Sequence, residues 1–409
     1  MGTVTSAYAL SALRFVFDTC TCRTSSIYEL VYYPGTQVLT TYGWAEFSAL
    51  LRLSACFSLR SPLKHSMGAA SSKETMRAVV RQGDITFVQA WPTPAAPNND
   101  EVIVSVGAAS INPVDYKAPK LVVGAVVGLD FAGTVSHIGP SPTHDFKVGD
   151  VVFGSSKGSL ADAILAKATS IARIAKGQSL LAAASMPVTY LTSLQALRDK
   201  GGLQKGGRVL IIGASGGCGI AALQLSKWIG ASEIVAVCSG RNAELVRQHG
   251  ATKVVDYTTT SLLDVYPESS TPDSDKFDVV FDAATNSGAG EDYKATGVAL
   301  CATGDAARRH GQYVAINGAV DMWLRAFTIG QKANQHLFLT DTNTADLALL
   351  ASLASAEDGV AALVPVIDSV HPFTPEGVSA AFARLKTRRA AGKVVVDVGS
   401  HPPAANLTK

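Results

Sequence analysis

At 409 residues the chain is longer than one hydrophobic core usually serves, so a single small module is excluded and at least two domains are expected. An apolar fraction of 47% with 17% charged residues excludes a disordered chain, and a net charge of +2 provides no global field for nucleic acid or an anionic membrane. Six cysteines, Cys20, Cys22, Cys56, Cys218, Cys238 and Cys301, are too few and too scattered for a disulfide scaffold, which points to a reducing compartment.

Residues 1–75 carry no sustained hydrophobic period and read as an N-terminal extension, disordered or processed. Arg14 interrupts the longest apolar run, 8–17, which falls short of the ~18 residues of a membrane span. Up to Ser66, Arg14, Arg23, Arg52, Arg60 and Lys64 stand against Asp18, Glu29 and Glu46 among many Ser and Thr. That resembles a transit peptide only loosely, because such peptides avoid acids, so a cytoplasmic location is expected, with a mitochondrial one as the alternative. Translation from Met67 or Met76 is a second explanation. A start at Met67 exposes MGAASSK, a myristoylation pattern that would acylate Gly68, with Ser72 at the preferred position, and give peripheral membrane attachment; MGTVTS at residue 1 fits the same loose pattern.

From Met76 the character changes. Short β-rich runs are expected at 76–81, 85–91 and 101–111, the last with Val102, Val104 and Val106 in alternation, then at 130–138, 150–153 and 160–166, with turns at Gly139-Pro140 and Gly149-Asp150. Near Ser179 the spacing becomes helical: Leu180, Leu181 and Ala184, then Leu191, Leu194 and Leu197. Strand and helix then alternate: strand 208–212, helix 220–229, strand 233–238, helix 242–249, then strands 253–256, 277–282 and 312–316. Such alternation calls for a parallel sheet covered on both faces. A helix at 375–386 and a strand at 393–398 close the chain.

The sharpest motif is RVLIIGASGGCGIAALQLSKWIGA, residues 208–231. An apolar strand runs into glycines and then into an amphipathic helix, with Ala214, Gly216 and Gly219 at the three positions of a dinucleotide-binding glycine motif. Gly216 and Gly217 remove the Cβ atoms that would keep a pyrophosphate from the backbone, and the helix start supplies free N–H groups, so Ser215, Gly216, Gly217, Cys218 and Gly219 are the candidate contacts. Gly219 permits close helix-to-strand packing. A glycine-rich turn that binds nothing is the bland alternative. About twenty residues beyond Gly219, where a cofactor without a 2'-phosphate usually meets an Asp or Glu, stand Ser239, Gly240 and Arg241; the first acid is Glu244, already on the next helix. Room for a phosphate and an arginine fork favour NADPH over NADH, with Tyr257 able to close over the same phosphate. Arg241 as a solvated residue opening a helix is the other reading.

Read together, SINPVDYK (110–117), GLDFAGTV (128–135), KVGDVVFG (147–154), MPVTYLTSLQAL (186–197), GASGGCG (213–219), VVDYTT (254–259), FDVVFDA (277–283) and GKVVV (392–396) resemble the medium-chain dehydrogenase/reductase superfamily, and within it the zinc-independent, zeta-crystallin-like quinone oxidoreductases. The resemblance covers about residues 76–399. It implies an α/β fold in which a GroES-like β-rich catalytic domain, 76–195, is interrupted by a Rossmann doubly wound parallel-sheet domain that binds NADP, 196–338, and completed by 339–409. A homodimer is also implied.

Departures from the zinc-dependent branch matter most. Asn112 stands where that branch has a catalytic-zinc cysteine and Leu129 where it has a histidine, and neither is a competent zinc ligand. The four-cysteine structural lobe is replaced by a short loop, 154–159. Neither CxxC nor HExxH occurs, so no metal site is expected. By the resemblance, Asn112, Asp115 and Tyr116, with Lys117 beside them, line the nicotinamide cleft and orient or polarise an acceptor carbonyl, Thr192 is the nicotinamide-side threonine, and Tyr190 narrows the pocket. An Asx turn ahead of Pro113 is the structural alternative for Asn112 and Asp115.

The expected activity is NADPH-dependent reduction of quinones or α,β-unsaturated carbonyls by direct hydride transfer without zinc, an acceptor already electrophilic needing no Lewis acid. A non-catalytic NADPH-binding protein with a membrane or protein partner, and an enoyl-thioester reductase, are the alternatives.

Overall fold

A computed structural model describes residues 74–399 except 119, 285–291, 305–309, 318–321, 323–324, 327, 329 and 356–362. Residues 1–73, which hold nearly all of the expected extension and the acylation signal at Gly68, lie outside the described residues.

β1 (Thr75–Gln82) and β2 (Asp84–Pro92) form a hairpin around Gly83. β3 (Glu101–Ile111) is the spine of a mainly antiparallel sheet with β4 (Asp130–Ile138), β5 (Val151–Ser155), β6 (Ala163–Lys167) and β7 (Ile171–Arg173). The two-residue period of a strand sends Val102, Val104 and Val106 to one side, where they pack with Phe131, Leu160 and Phe382. On the other side the small residues Ala108 and Ala132 leave room for Ala183, Ala184 and Met186. The helix Leu180–Ala184 begins at Ser179, whose hydroxyl accepts the Ala182 N–H at 3.2 Å.

A second sheet follows in sequence: β8 (Arg208–Ile212), β9 (Glu233–Cys238), β10 (Lys253–Asp256), β11 (Val279–Asp282), β12 (Gln312–Ala315) and β13 (Gln335–Leu337). Its strands lie in the order β10-β9-β8-β11-β12-β13, all parallel, which is the doubly wound dinucleotide-binding order with its reversal between β8 and β11. Both faces are apolar. Val209 and Ile211 pack with Ile220 and Leu223 of the helix Gly217–Ile229, while Leu210 and Ile212 pack with Val235 and Tyr313 on the opposite side.

The chain then returns to the first sheet. β14 (Ile367–Pro372) pairs in parallel with β15 (Lys393–Asp397), which pairs antiparallel with β3. Between them the helix Pro375–Lys386 is capped by Thr374, whose hydroxyl accepts the Gly377 N–H at 3.1 Å. The parallel sheet therefore interrupts the antiparallel one. All described residues belong to one compact unit, 46–409. Among them no helix is long and apolar enough to cross a membrane.

Among the elements that differ from the sequence reading, two do so for evident local reasons. The helix expected at 220–229 starts three residues earlier, at Gly217, because glycines add nothing to a hydrophobic period. The helix Thr344–Ala354 went unforeseen because TADLALLASLA is apolar almost all round and has no polar face to reveal its turn.

Candidate active site

β8 ends in a turn that the glycines allow. Gly213 has φ +78°, a left-handed conformation, and a Cβ there would stand 2.9 Å from the Ala284 side chain. A Cβ on Gly219 would lie 2.3 Å from the Gly213 carbonyl oxygen, so the helix rests on the turn only because that atom is missing. At Gly216, the residue that caps the helix, a Cβ would meet nothing nearer than 3.5 Å: the turn faces open space there. The N-terminal amides of the helix Gly217–Ile229 have no partners within the helix, which is the arrangement that cradles a pyrophosphate. Cys218 is half-buried, and its carbonyl accepts the Ser193 hydroxyl at 2.8 Å. Gly217 differs from expectation: a Cβ there would meet Thr189 Cγ2 at 2.9 Å and Lys393 Cδ at 3.0 Å, so its missing side chain makes room for protein packing and not for a pyrophosphate. With Gly216 facing the open side and the helix amides free, the turn fits a dinucleotide.

Beside the turn opens a cavity of about 720 Å³ walled by Ser215, Ser239, Arg241, Tyr257, Arg388 and Arg389, among others. Tyr257 is exposed at its rim. Asn242 ties the wall together, its amide donating to Ser215 Oγ at 3.0 Å and to Ser239 Oγ at 3.3 Å. Asn242, Arg388 and Arg389 are among the residues of this wall that the sequence reading does not assign. Asn242 directly follows Arg241 and is obscured by the helix expected from 242; Arg388 and Arg389 stand two alanines before GKVVV and lie some 150 positions from Arg241. Arg388 holds φ +58°, the one non-glycine residue with positive φ among those described. A backbone held in that region is a conformation the surrounding fold imposes.

A carboxylate does reach the cavity, from β10 and not from the end of β9: Asp256 lies so near Gly240 that a Cβ there would be 2.3 Å from Oδ2. Its Oδ1 accepts the Thr258 N–H at 3.0 Å and the Thr258 hydroxyl at 2.7 Å. Those bonds hold the Asp256 carboxyl below its ordinary range.

The second cluster lies where β3, β4 and β15 meet the turn. Asn112, Asp115, Asp130 and Lys393 are all buried. Asp130 Oδ2 accepts from Asn112 Nδ2 at 2.8 Å, Ser110 Oγ at 3.1 Å and Lys393 Nζ at 3.1 Å, while Oδ1 accepts the Val188 N–H at 2.9 Å. Lys393 Nζ also donates to Asn112 Oδ1 at 2.6 Å and to the Ile111 carbonyl at 3.2 Å. Asp115, in the helix Pro113–Lys117, accepts the Asn112 N–H at 2.7 Å and so caps that helix. Burial pushes the Asp115 carboxyl up to about 7, aided by the nearby Asp130 and opposed by the Asn112 N–H and the charges of Lys393 and Arg81.

Tyr116 is half-buried, with Lys386 Nζ 5.7 Å and Lys117 Nζ 6.0 Å from its ring centre. Thr192, on the helix Pro187–Leu194, shares a hydrogen bond of 2.5 Å with Thr340. One turn on, Gln195 clasps the backbone of Asp341 from both sides, donating to its carbonyl at 2.7 Å and accepting its N–H at 2.9 Å. Tyr190 departs from expectation. It is fully buried in the core between the sheets, its hydroxyl 3.4 Å from Gln224 Oε1, because its helix face packs on Gly217–Ile229.

The two clusters touch. Gly392 N–H donates to the Ser215 carbonyl at 2.9 Å and pairs with Gly216 as an isolated bridge, so β15 starts on the glycine turn.

A split antiparallel sheet around a doubly wound one, with a glycine turn at the switch point, defines a nicotinamide-dependent dehydrogenase. Residues 98–176 match the alcohol dehydrogenase GroES-like domain family and residues 249–396 match a family described as zinc-binding dehydrogenase. The chain is 30% identical to the 2-methylene-furan-3-one reductase of Solanum lycopersicum over 86% of its own length and 87% of that protein's. It is also 30% identical to the chloroplastic NADPH-dependent alkenal/one oxidoreductase of Arabidopsis thaliana, over 85% and 86%. Among solved structures, the quinone oxidoreductase from Coxiella burnetii superposes with a TM-score of 0.65 at 26% identity, covering 80% of this chain and 100% of that one. The chain belongs to the medium-chain dehydrogenase/reductase superfamily, in its quinone oxidoreductase branch.

Proposed function

We propose that the protein is an NADPH-dependent reductase of quinones or α,β-unsaturated carbonyls that works without zinc. The observation that carries this reading is the junction at Gly392 and Ser215, which sets the buried Asn112–Asp130–Lys393 array directly beside the turn that fits a dinucleotide pyrophosphate. The bound cofactor would supply hydride from C4 of its nicotinamide. The protein would supply position and polarity: a cavity lined by Arg241, Arg388 and Arg389 to receive the 2'-phosphate, and an amide at Asn112 to direct the acceptor's carbonyl.

One of the matching families is described as zinc-binding, and here the chemistry of the donor set argues otherwise. The Asn112 amide is committed on both of its atoms, to Lys393 and to Asp130, and an ammonium 2.6 Å from Oδ1 is incompatible with a divalent cation on the same oxygen. Asp115 is engaged as a helix cap, which supports a supporting role for it behind Asn112.

The names of the relatives support activated alkenes as acceptors, one being a 2-methylene-furan-3-one reductase and another an alkenal/one oxidoreductase. The test is initial-rate NADPH oxidation with 1,4-benzoquinone, trans-2-hexenal and a crotonyl thioester. Turnover of quinone or enal with NADPH over NADH supports the reading; turnover of the thioester alone makes the protein an enoyl-thioester reductase. Tight NADPH binding without turnover of any acceptor would leave it a binding protein.

A further inference from the structure

We propose that Lys393 is a positioning residue of the hydride site: it sets the direction of the Asn112 amide and seats it on the phosphate-binding turn. The inference rests on the reductase reading above. Lys393 is 5% exposed and Asp130 is 0% exposed. Burying such a pair is costly unless each charge is well bonded, and both are: the ammonium has three acceptors and the carboxylate four donors.

An ammonium only donates and a carboxylate only accepts. Asn112, placed between them, therefore has one permitted orientation. Its Oδ1 must face Lys393 and its Nδ2 must face Asp130, so the choice that an isolated amide leaves open is closed by chemistry. One N–H of Nδ2 is spent on Asp130. The second is a donor, and a donor is what a carbonyl oxygen gaining negative charge needs as hydride arrives. An inverted amide would turn an acceptor oxygen the same way and oppose that charge.

The rest of the side chain links this array to the cofactor turn. A Cβ on Gly217 would lie 3.0 Å from Lys393 Cδ and 3.4 Å from Cγ, so the lysine stem lies against the first residue of the phosphate-binding helix. Gly392, one residue earlier, is bonded to Ser215. Any movement of the turn is thus carried to Asn112 through Lys393, and hydride donor and carbonyl donor share one foundation.

The test compares Lys393→Met with the double variant Lys393→Met/Asp130→Asn. The single variant leaves the Asp130 carboxylate buried without its cation and should lower Tm. The double variant removes both charges and should recover Tm while leaving the Asn112 amide free to invert. Its kcat with 1,4-benzoquinone or trans-2-hexenal should remain about 100-fold below wild type with little change in acceptor KM. Calorimetry supplies a readout independent of turnover: NADPH should bind the double variant about tenfold more weakly, while 2',5'-ADP, which lacks the nicotinamide half, binds as to wild type. Recovery of kcat together with Tm, or an unchanged ratio of NADPH to 2',5'-ADP affinity, overturns the proposal and makes the ion pair merely structural. A wild-type protein that reduces none of the acceptors overturns the reductase reading instead, and the calorimetric ratio then decides the role of Lys393.

Discussion

Gly392 donates its main-chain N–H to the carbonyl oxygen of Ser215 across 2.9 Å, fastening the last strand of the antiparallel sheet to the glycine turn of the parallel one. Gly392 holds φ +96°, and a Cβ there would stand 2.3 Å from the Val366 carbonyl oxygen. Gly392→Ala should therefore cost at least ~1 kcal/mol of stability and weaken NADPH binding as the strand start withdraws from Ser215. Denaturant unfolding and calorimetry measure the two effects; wild-type values for both would show that the junction tolerates displacement.

Arg241 and Arg388, well separated in sequence, line the same cavity. If both receive the 2'-phosphate, Arg241→Ala and Arg388→Ala should each raise the NADPH KM about tenfold or more, the loss expected for one charge-assisted contact. The NADH KM should hardly move. Equal effects on both cofactors would assign these arginines to structure.

Gly219 is required by distance. The missing Cβ would come within 2.3 Å of the Gly213 oxygen and 2.5 Å of Ala214, both backbone, so neither can step aside cheaply. Gly219→Ala should destabilise the protein by about 1–3 kcal/mol, typical of overpacking, and should abolish measurable NADPH binding by displacing the helix N-terminus. Retained binding at unchanged affinity would mean that the turn is not the pyrophosphate site.

Asp115 makes stability depend on pH in a stated direction. Its carboxyl titrates near 7 in the folded protein, against 3.8 for the unperturbed group, so between those values the folded state retains a proton that the unfolded chain has released. The stabilisation is complete below about pH 4, declines as pH rises and is gone above pH 7. Asp115→Asn, which keeps a neutral side chain at every pH, should flatten that part of the curve of unfolding free energy against pH between 4 and 8. An unaltered curve would place the titration elsewhere.

Much of the cofactor half was legible because its contacts are local. The strands Arg208–Ile212, Glu233–Cys238 and Lys253–Asp256 have the bounds that composition and turn residues indicate, and Ser215, Ser239, Arg241 and Tyr257 do share one cavity. Asp256 shows the limit of that reading. Counting along β9 finds no carboxylate near Arg241, while the neighbouring strand brings one against Gly240. Tyr190 shows another limit: helical spacing identifies a buried face without saying whether pocket or core lies beyond it, and here Gln224 and the core do.

By itself the sequence determined the alternation of strand and helix, the glycine turn and the membership of a reductase family. Those features depend on residues within a few positions of one another, where backbone freedom and hydrophobic period act directly. Only the tertiary structure decided that Lys393 meets Asn112 across 281 positions and that Arg388 faces Arg241. A buried ammonium is tolerated only where acceptors converge on it. That convergence comes from pairing β15 with β3 and docking both on the turn, a relation between distant segments that no local pattern records.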